Sequence, residues 1–112
     1  MADQATIEIL QDYLRALEAK GLPVSHAVLF GSHAKGAAHE WSDIDVILVS
    51  KRFDSEYSNE DIDLLWHTTI EVDPRIEPIA CGEQQWLEDD VTPILDVARR
   101  EGIMIKPEPQ PT

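Results

Sequence analysis

The sequence predicts an α/β domain: a small mixed β-sheet packed with helices. Three observations lead there. Helical and strand periodicities follow one another as helix, strand, strand, helix, strand, helix. The run IDVILV at residues 44 to 49 is apolar on both faces past Asp45, as a central buried strand is. The 112 residues, without internal repeats, are enough for one domain around one core.

Taken in order, residues 4 to 20 read as an amphipathic helix with Ile7, Leu10, Leu14 and Leu17 on one stripe. Gly21 and Pro23 end it. A first strand is expected at 24 to 30 (VSHAVLF), then a Gly31-Ser32 turn and a short helical turn at 33 to 38. The second strand is 44 to 49. Ser58 is placed to cap a helix over about 59 to 70, and Asp61 three residues on suggests a capping box with Asp in place of Glu. Ile62, Leu65, Trp66, Thr69 and Ile70 form its predicted buried face.

A third strand is expected from about 75 to 80, and a short helical segment near 83 to 88 carries Trp86 and Leu87. Thr92 before Pro93 is an N-cap followed by proline at the first helical position. That helix runs to about 101, with Arg99 and Arg100 on its C-terminal dipole, and Gly102 stops it. Ile103 to Lys106 form a short edge strand. The domain is therefore drawn over 1–106. The tail 107–112 (PEPQPT), three prolines in six residues, is expected to be disordered. The rival reading of the tail is an extended ligand for an aromatic groove.

The net charge of −13 comes from 22 acids against 9 lysines and arginines, spread along the chain. Such a surface repels phosphate backbones, which argues against direct nucleic-acid binding and for a basic protein partner. Plain solubility is the simpler reading of the same charge. One cysteine, Cys81, excludes an internal disulfide and a cysteine metal cluster; it reads as a small buried hydrophobe. The start, MADQATIEIL, lacks the basic and apolar regions of a signal peptide, and no run is long enough to span a membrane. A cytoplasmic protein without membrane contact is expected.

The residues between the first two strands carry chemistry: Gly31-Ser32-(x3)-Gly36-(x5)-Ser42-Asp43-Ile44-Asp45. Side chains alternate along a strand, so Asp43 and Asp45 point the same way, roughly 6 to 7 Å apart. Two hard oxygen donors at the mouth of a glycine turn suit Mg²⁺ with a phosphate chain. Read as structure alone, the same pattern is a hairpin turn with an acidic solvated end. A plain turn has no need of two same-face carboxylates at the head of an apolar strand.

These residues resemble the signature of the DNA polymerase beta-type nucleotidyltransferases, and within them the minimal nucleotidyltransferases (MNT domains). The family pattern is a Gly-Ser turn, a basic residue before a second Gly, then Ser-Asp-x-Asp and apolar strand residues. Here it reads GSHAKG…SDIDVILV. The family usually has Arg where this chain has Lys35; Lys keeps the charge but loses the planar fork that grips phosphate. The resemblance implies transfer of a nucleotidyl group from ATP with Mg²⁺, two metals acting on the phosphates. Asp43 and Asp45 would be ligands and catalytic residues. The third carboxylate is expected on the strand after the intervening helix, where Glu77 stands inside an apolar run. Glu77 would be a metal ligand, the general base, or both. Pro78 beside it also fits an exposed edge-strand acid, and Glu71 and Asp73 are the fallback candidates.

Gly31 and Ser32 would contact the outer phosphates, and Gly36 lets the loop fold back. Lys35 would neutralise phosphate or lie in solvent. Ser42 is expected to orient the strand start through its hydroxyl. His33 and His39 are read as surface residues of the loop, and His26 and His67 lie away from the site. No pair of histidines has zinc spacing. Trp41 suits a lid or a contact surface.

The residues imply a reaction without naming the acceptor. So short a chain has little left to hold one, so a partner protein would present it. The resemblance supplies a partner: such domains are antitoxins of HEPN–MNT pairs that transfer AMP to a tyrosine of the HEPN toxin, a hetero-oligomer. Two rivals stay open: an acidic module that masks a basic toxin by contact alone, and a subunit of an aminoglycoside-type nucleotidyltransferase.

Overall fold

The structure, a computed structural model, describes residues 3–39, 42–54 and 58–107. Trp41 and the tail beyond Pro107 lie outside the described residues. The elements run α1 (Gln4–Ala19), β1 (His26–Phe30), α2 (Ser32–Lys35), β2 (Ile44–Val49), a 3-10 turn (Lys51–Phe53), α3 (Asn59–Val72), β3 (Ile76–Cys81), α4 (Glu83–Glu88), α5 (Pro93–Glu101) and β4 (Ile103–Ile105). This is the expected small mixed sheet with helices. Its strand order is β3-β2-β1-β4. β1 runs antiparallel to both β2 and β4, and β2 pairs parallel with β3 through the α3 crossover.

Helix α1 starts at Asp3, whose side chain accepts from the Thr6 N–H at 2.8 Å. It ends as a Schellman motif: the Leu22 N–H reaches the Leu17 carbonyl and the Gly21 N–H the Glu18 carbonyl, with Gly21 at φ +91°. Leu10, Leu14 and Leu17 are buried, as their spacing predicts.

Helix α3 departs from expectation in two ways. Ser58 caps it by accepting from the Asp61 N–H, but the Asp61 carboxylate takes Arg52 of the 3-10 turn at 2.9 Å. Asp is one methylene shorter than the Glu that completes a capping box, and a buried carboxylate favours a cation. Its face is also rotated. Asp61, Leu65, Thr68 and Thr69 are buried, whereas Trp66 is 46% and Ile70 71% exposed. The helix is turned towards α1, where the Tyr13 hydroxyl donates to the Leu65 carbonyl at 2.8 Å and the Lys20 ammonium to the Thr68 hydroxyl at 3.2 Å. One stripe can face that layer, and the 66–70 stripe falls beside it.

Thr92 begins α5 with its carbonyl, not its hydroxyl. The hydroxyl instead donates to Asp89, which also accepts the Val91 and Thr92 N–H groups. At the other end, Arg99 reaches back to the Trp86 carbonyl at the end of α4 and lies 5.0 Å over the Trp86 ring.

The strands separate the core into two faces. Ala27, Leu29, Ile44, Val46, Leu48 and Ile76 meet the leucines of α1 and Leu65 of α3. Val28, Phe30, Ile47, Val49 and Cys81 meet Leu95 and Ala98 of α5. Cys81 is 1% exposed, and burial pushes its thiol up to about 11, so it behaves as the expected inert hydrophobe. No helix among the described residues is long and apolar enough to cross a membrane.

Candidate active site

The register of the sheet assembles the acidic residues. Phe30 of β1 stands opposite Asp45 of β2, and Asp45 opposite Glu77 of β3. Side-chain alternation puts Asp45 on the same face as Ile47 and Val49, the face covered by α5. The Ile44 N–H bonds to the Arg75 carbonyl at 2.8 Å, which fastens the two strand heads side by side. Asp43 and Glu77 are exposed and Asp45 is half-buried.

Two of the carboxylates at this strand end, Asp45 and Glu77, are raised. Burial pushes Asp45 up, and Asp43 adds to it; a hydrogen bond with Glu77 and the nearby His33 work the other way. Glu77 is raised by desolvation, then by Asp43 and Asp45. Asp45 and Glu77 are thus neighbouring acids on one face of the sheet with raised carboxyls, an arrangement that favours a shared proton or a cation. Among the described residues, no three His, Cys, Asp or Glu side chains are already gathered as a bound metal would gather them.

The turn closes against this pair. Gly31 has φ +76° and ψ −154°, and a Cβ there would lie 2.6 Å from Asp45 Oδ2. The backbone conformation therefore favours glycine, and a Cβ there would displace the Asp45 carboxylate. Ser32 opens α2, with the Ala34 and Lys35 N–H groups bonded to the Gly31 carbonyl. Gly36 ends α2 in the left-handed region at φ +71°, and its N–H returns to the Ser32 carbonyl, so it folds the loop back as expected.

Other site candidates are placed less directly. Lys35 pairs with Glu101 at the end of α5, at 3.0 Å and largely exposed. The Ser42 hydroxyl accepts from the His39 N–H at 3.0 Å, so it ties back the loop before it, not the strand after it. Glu71 pairs with Lys20, and Asp73 grips Arg75 at 2.8 Å, which holds Asp73 below the usual carboxylate range. Of the acids weighed for the third position, Glu77 is the one beside Asp45 in the register.

His33 corrects the reading of a surface loop residue. It is 8% exposed, with Nε2 3.1 Å from the Ser42 carbonyl and Nδ1 3.4 Å from the Thr6 hydroxyl. Nε2 donates to the carbonyl, and Nδ1 faces the Thr6 hydroxyl. The ring thereby joins the start of α1 to the residue preceding Asp43. A four-residue helix gives no periodicity from which to read its buried side, so this role left no trace in the sequence. His39 is exposed, as expected.

The comparisons agree with this architecture. Residues 10–103 match the family described as the nucleotidyltransferase domain. A candidate nucleotidyltransferase from Sulfolobus solfataricus superposes with a TM-score of 0.62 at 14% identity, over 89% of this chain and 78% of that one. A chain from a toxin–antitoxin structure with AMP-PNP superposes with a TM-score of 0.58 at 19% identity, over 84% of this chain and 70% of that one. At these identities the likeness is one of fold. No curated protein matches the sequence. A four-stranded mixed sheet that carries acidic strand heads beside a glycine turn, and a family match over residues 10–103, make this chain a member of the nucleotidyltransferase domain family.

Proposed function

We propose that the chain transfers AMP from ATP to a hydroxyl of a partner protein, a HEPN-type toxin with tyrosine as acceptor, and acts as its antitoxin in the cytoplasm. The observation that carries the reading is the register that sets Asp45 and Glu77 side by side against Gly31. The toxin–antitoxin chain of similar fold, solved with AMP-PNP, supports the partner class and the nucleotide.

The residues present fit a divalent cation, because Asp45 and Glu77 stand side by side and both are raised by burial and by neighbouring acids. Asp43, Asp45 and Glu77 would hold Mg²⁺, which when bound neutralises the charge that builds on the phosphate oxygens. The Gly31 backbone and Ser32 lie against the outer phosphates and fix the leaving pyrophosphate. Glu77, exposed on its edge strand, takes the proton of the acceptor hydroxyl. That oxygen then bonds to the α-phosphorus as the bond to pyrophosphate breaks. Lys35 and Gly36 complete the loop, Lys35 by exchanging Glu101 for a phosphate, and Ser42 holds the loop end.

The test is label transfer from α-labelled ATP with Mg²⁺ in host lysate. A labelled protein band is expected with the native chain, and a loss of more than about 100-fold with Asp45→Asn. Equal labelling by the variant would refute the assignment. A second reading, neutralisation by contact alone, draws on the Lys35–Glu101 pair, which already engages the loop cation. It predicts stoichiometric rather than catalytic protection of the host.

A further inference from the structure

The 66–70 stripe of α3 leaves an apolar groove on the surface. Trp66 (46% exposed), Ile70 (71% exposed), Thr69 and Pro74 line about 270 Å³, with Asp63 and His67 at the rim. Two exposed apolar side chains around a shaped recess mark a contact site more often than two scattered ones do. The recess lies at the same end of the sheet as the candidate active site, on the α3 side of edge strand β3, whereas Asp45 and Glu77 face the α5 side. Pro74 is three residues before Glu77, so their Cα atoms are within about 11 Å. Between them, the Arg75 carbonyl is bonded to Ile44, which sits between Asp43 and Asp45.

Charge decides what fits. No Lys or Arg is among the described residues lining the groove, and Asp63 edges it, in a chain of net charge −13. Glu60 precedes it on α3, Glu71 is neutralised by Lys20, and Asp43 and Glu77 lie exposed at the far end. A second copy would bring another −13 against this one, and RNA would bring phosphates. A basic protein meets neither penalty.

We propose that the Trp66–Ile70–Pro74 groove docks a basic partner protein by taking one of its large apolar side chains, and so brings the acceptor hydroxyl to Glu77. The proposal rests on the transfer reading for the identity of the partner's reacting group, but the docking is tested without it. The tagged full-length chain is recovered from its host, co-purifying proteins are identified by mass spectrometry, and label transfer is read on the same samples. Ile70→Lys and Trp66→Ser change exposed side chains; Met104→Lys, 53% exposed on the opposite edge strand, is the control.

The expected result is a partner of high isoelectric point whose recovery falls by about tenfold or more in both groove variants, is unchanged in the control, and weakens with salt. Thermal stabilisation by Mg²⁺ and ATP should be the same in all four chains. Recovery unaffected by Ile70→Lys, an acidic partner, no partner, or a self-association lost with Ile70→Lys overturns the groove. Groove-dependent recovery of a basic partner that gains no label leaves the docking standing and overturns the transfer reading instead.

Discussion

The two faces of the sheet are covered unequally. On one face, α1 contributes Leu10, Tyr13, Leu14 and Leu17 and α3 contributes Leu65, all fully or almost fully buried. On the other, the nine-residue α5 buries only Leu95 and Ala98, and α4 buries nothing completely. Asp45 and Glu77 belong to the second face, at the strand heads that α5 leaves open. The difference teaches where this fold can afford charge. Carboxylates under a full helical layer would lose their water and be forced neutral, whereas the thin layer leaves one end of its face wet. The thick face holds the fold so that the thin one can carry the acids.

The largest effect should come from the thick face. Leu14→Ala is expected to cost about 3 to 5 kcal/mol, because the sheet and α3 hem the cavity in, and Leu95→Ala about 2 to 3 kcal/mol, because α5 can settle inward. Urea unfolding of both checks this; a costlier Leu95→Ala would break the comparison. Next comes Gly31→Ala, which combines positive φ with a Cβ against Asp45 Oδ2. It should destabilise by about 1 to 3 kcal/mol and reduce label transfer far more than the loss of stability accounts for. Activity close to native would mean that the turn does not set the position of Asp45.

Much of this division was legible in the sequence. The Leu10–Leu14–Leu17 stripe, the apolar β2, the Gly-Ser turn and the acids at strand heads each follow from a period or a spacing that one element contains. The illegible parts depend on how elements meet. Trp66 and Ile70 fit a buried stripe of α3 by spacing, and only its rotation towards α1 exposes them. Asp61 matches a capping box until Arg52 arrives from the 3-10 turn, an element the sequence did not announce. Glu77 was found because an acid in an apolar strand stands out, but its pairing with Asp45 depends on a register set by a parallel crossover.

His33 sharpens the comparison, since it ties the thick layer to the acidic strand head. His33→Leu leaves the Thr6 hydroxyl and the Ser42 carbonyl unmatched in a buried place, at a cost of about 1 to 3 kcal/mol. His33→Gln, whose amide can still donate to Ser42, should recover label transfer more fully than stability. If both variants transfer label like the native chain at equal folded fraction, the ring is packing alone.

The smallest effect concerns acid. Asp89 joins α4 to α5 by accepting from the Val91 N–H at 2.9 Å, the Thr92 N–H at 3.0 Å and the Thr92 hydroxyl at 2.6 Å. These bonds hold its carboxyl well below the usual range, the Thr92 hydroxyl first among them. Asp3, the cap of α1, is lowered in the same sense, first by its bond with the Thr6 backbone. A carboxyl depressed in the folded state stabilises fully above its unfolded value near 3.9, and that contribution is lost as pH falls towards the folded value. Asp89→Ala should therefore lower stability by a constant amount at neutral pH, and the gap from the native chain should close below about pH 4. Because Asp89 accepts four such bonds, two of them from the backbone, and Asp3 one from the backbone, the thin face should lose more to acid than the thick one. Urea unfolding of Asp89→Ala and Asp3→Ala at neutral and acid pH decides it. A gap that stays open in acid for Asp89→Ala would place its contribution in packing instead of in charge.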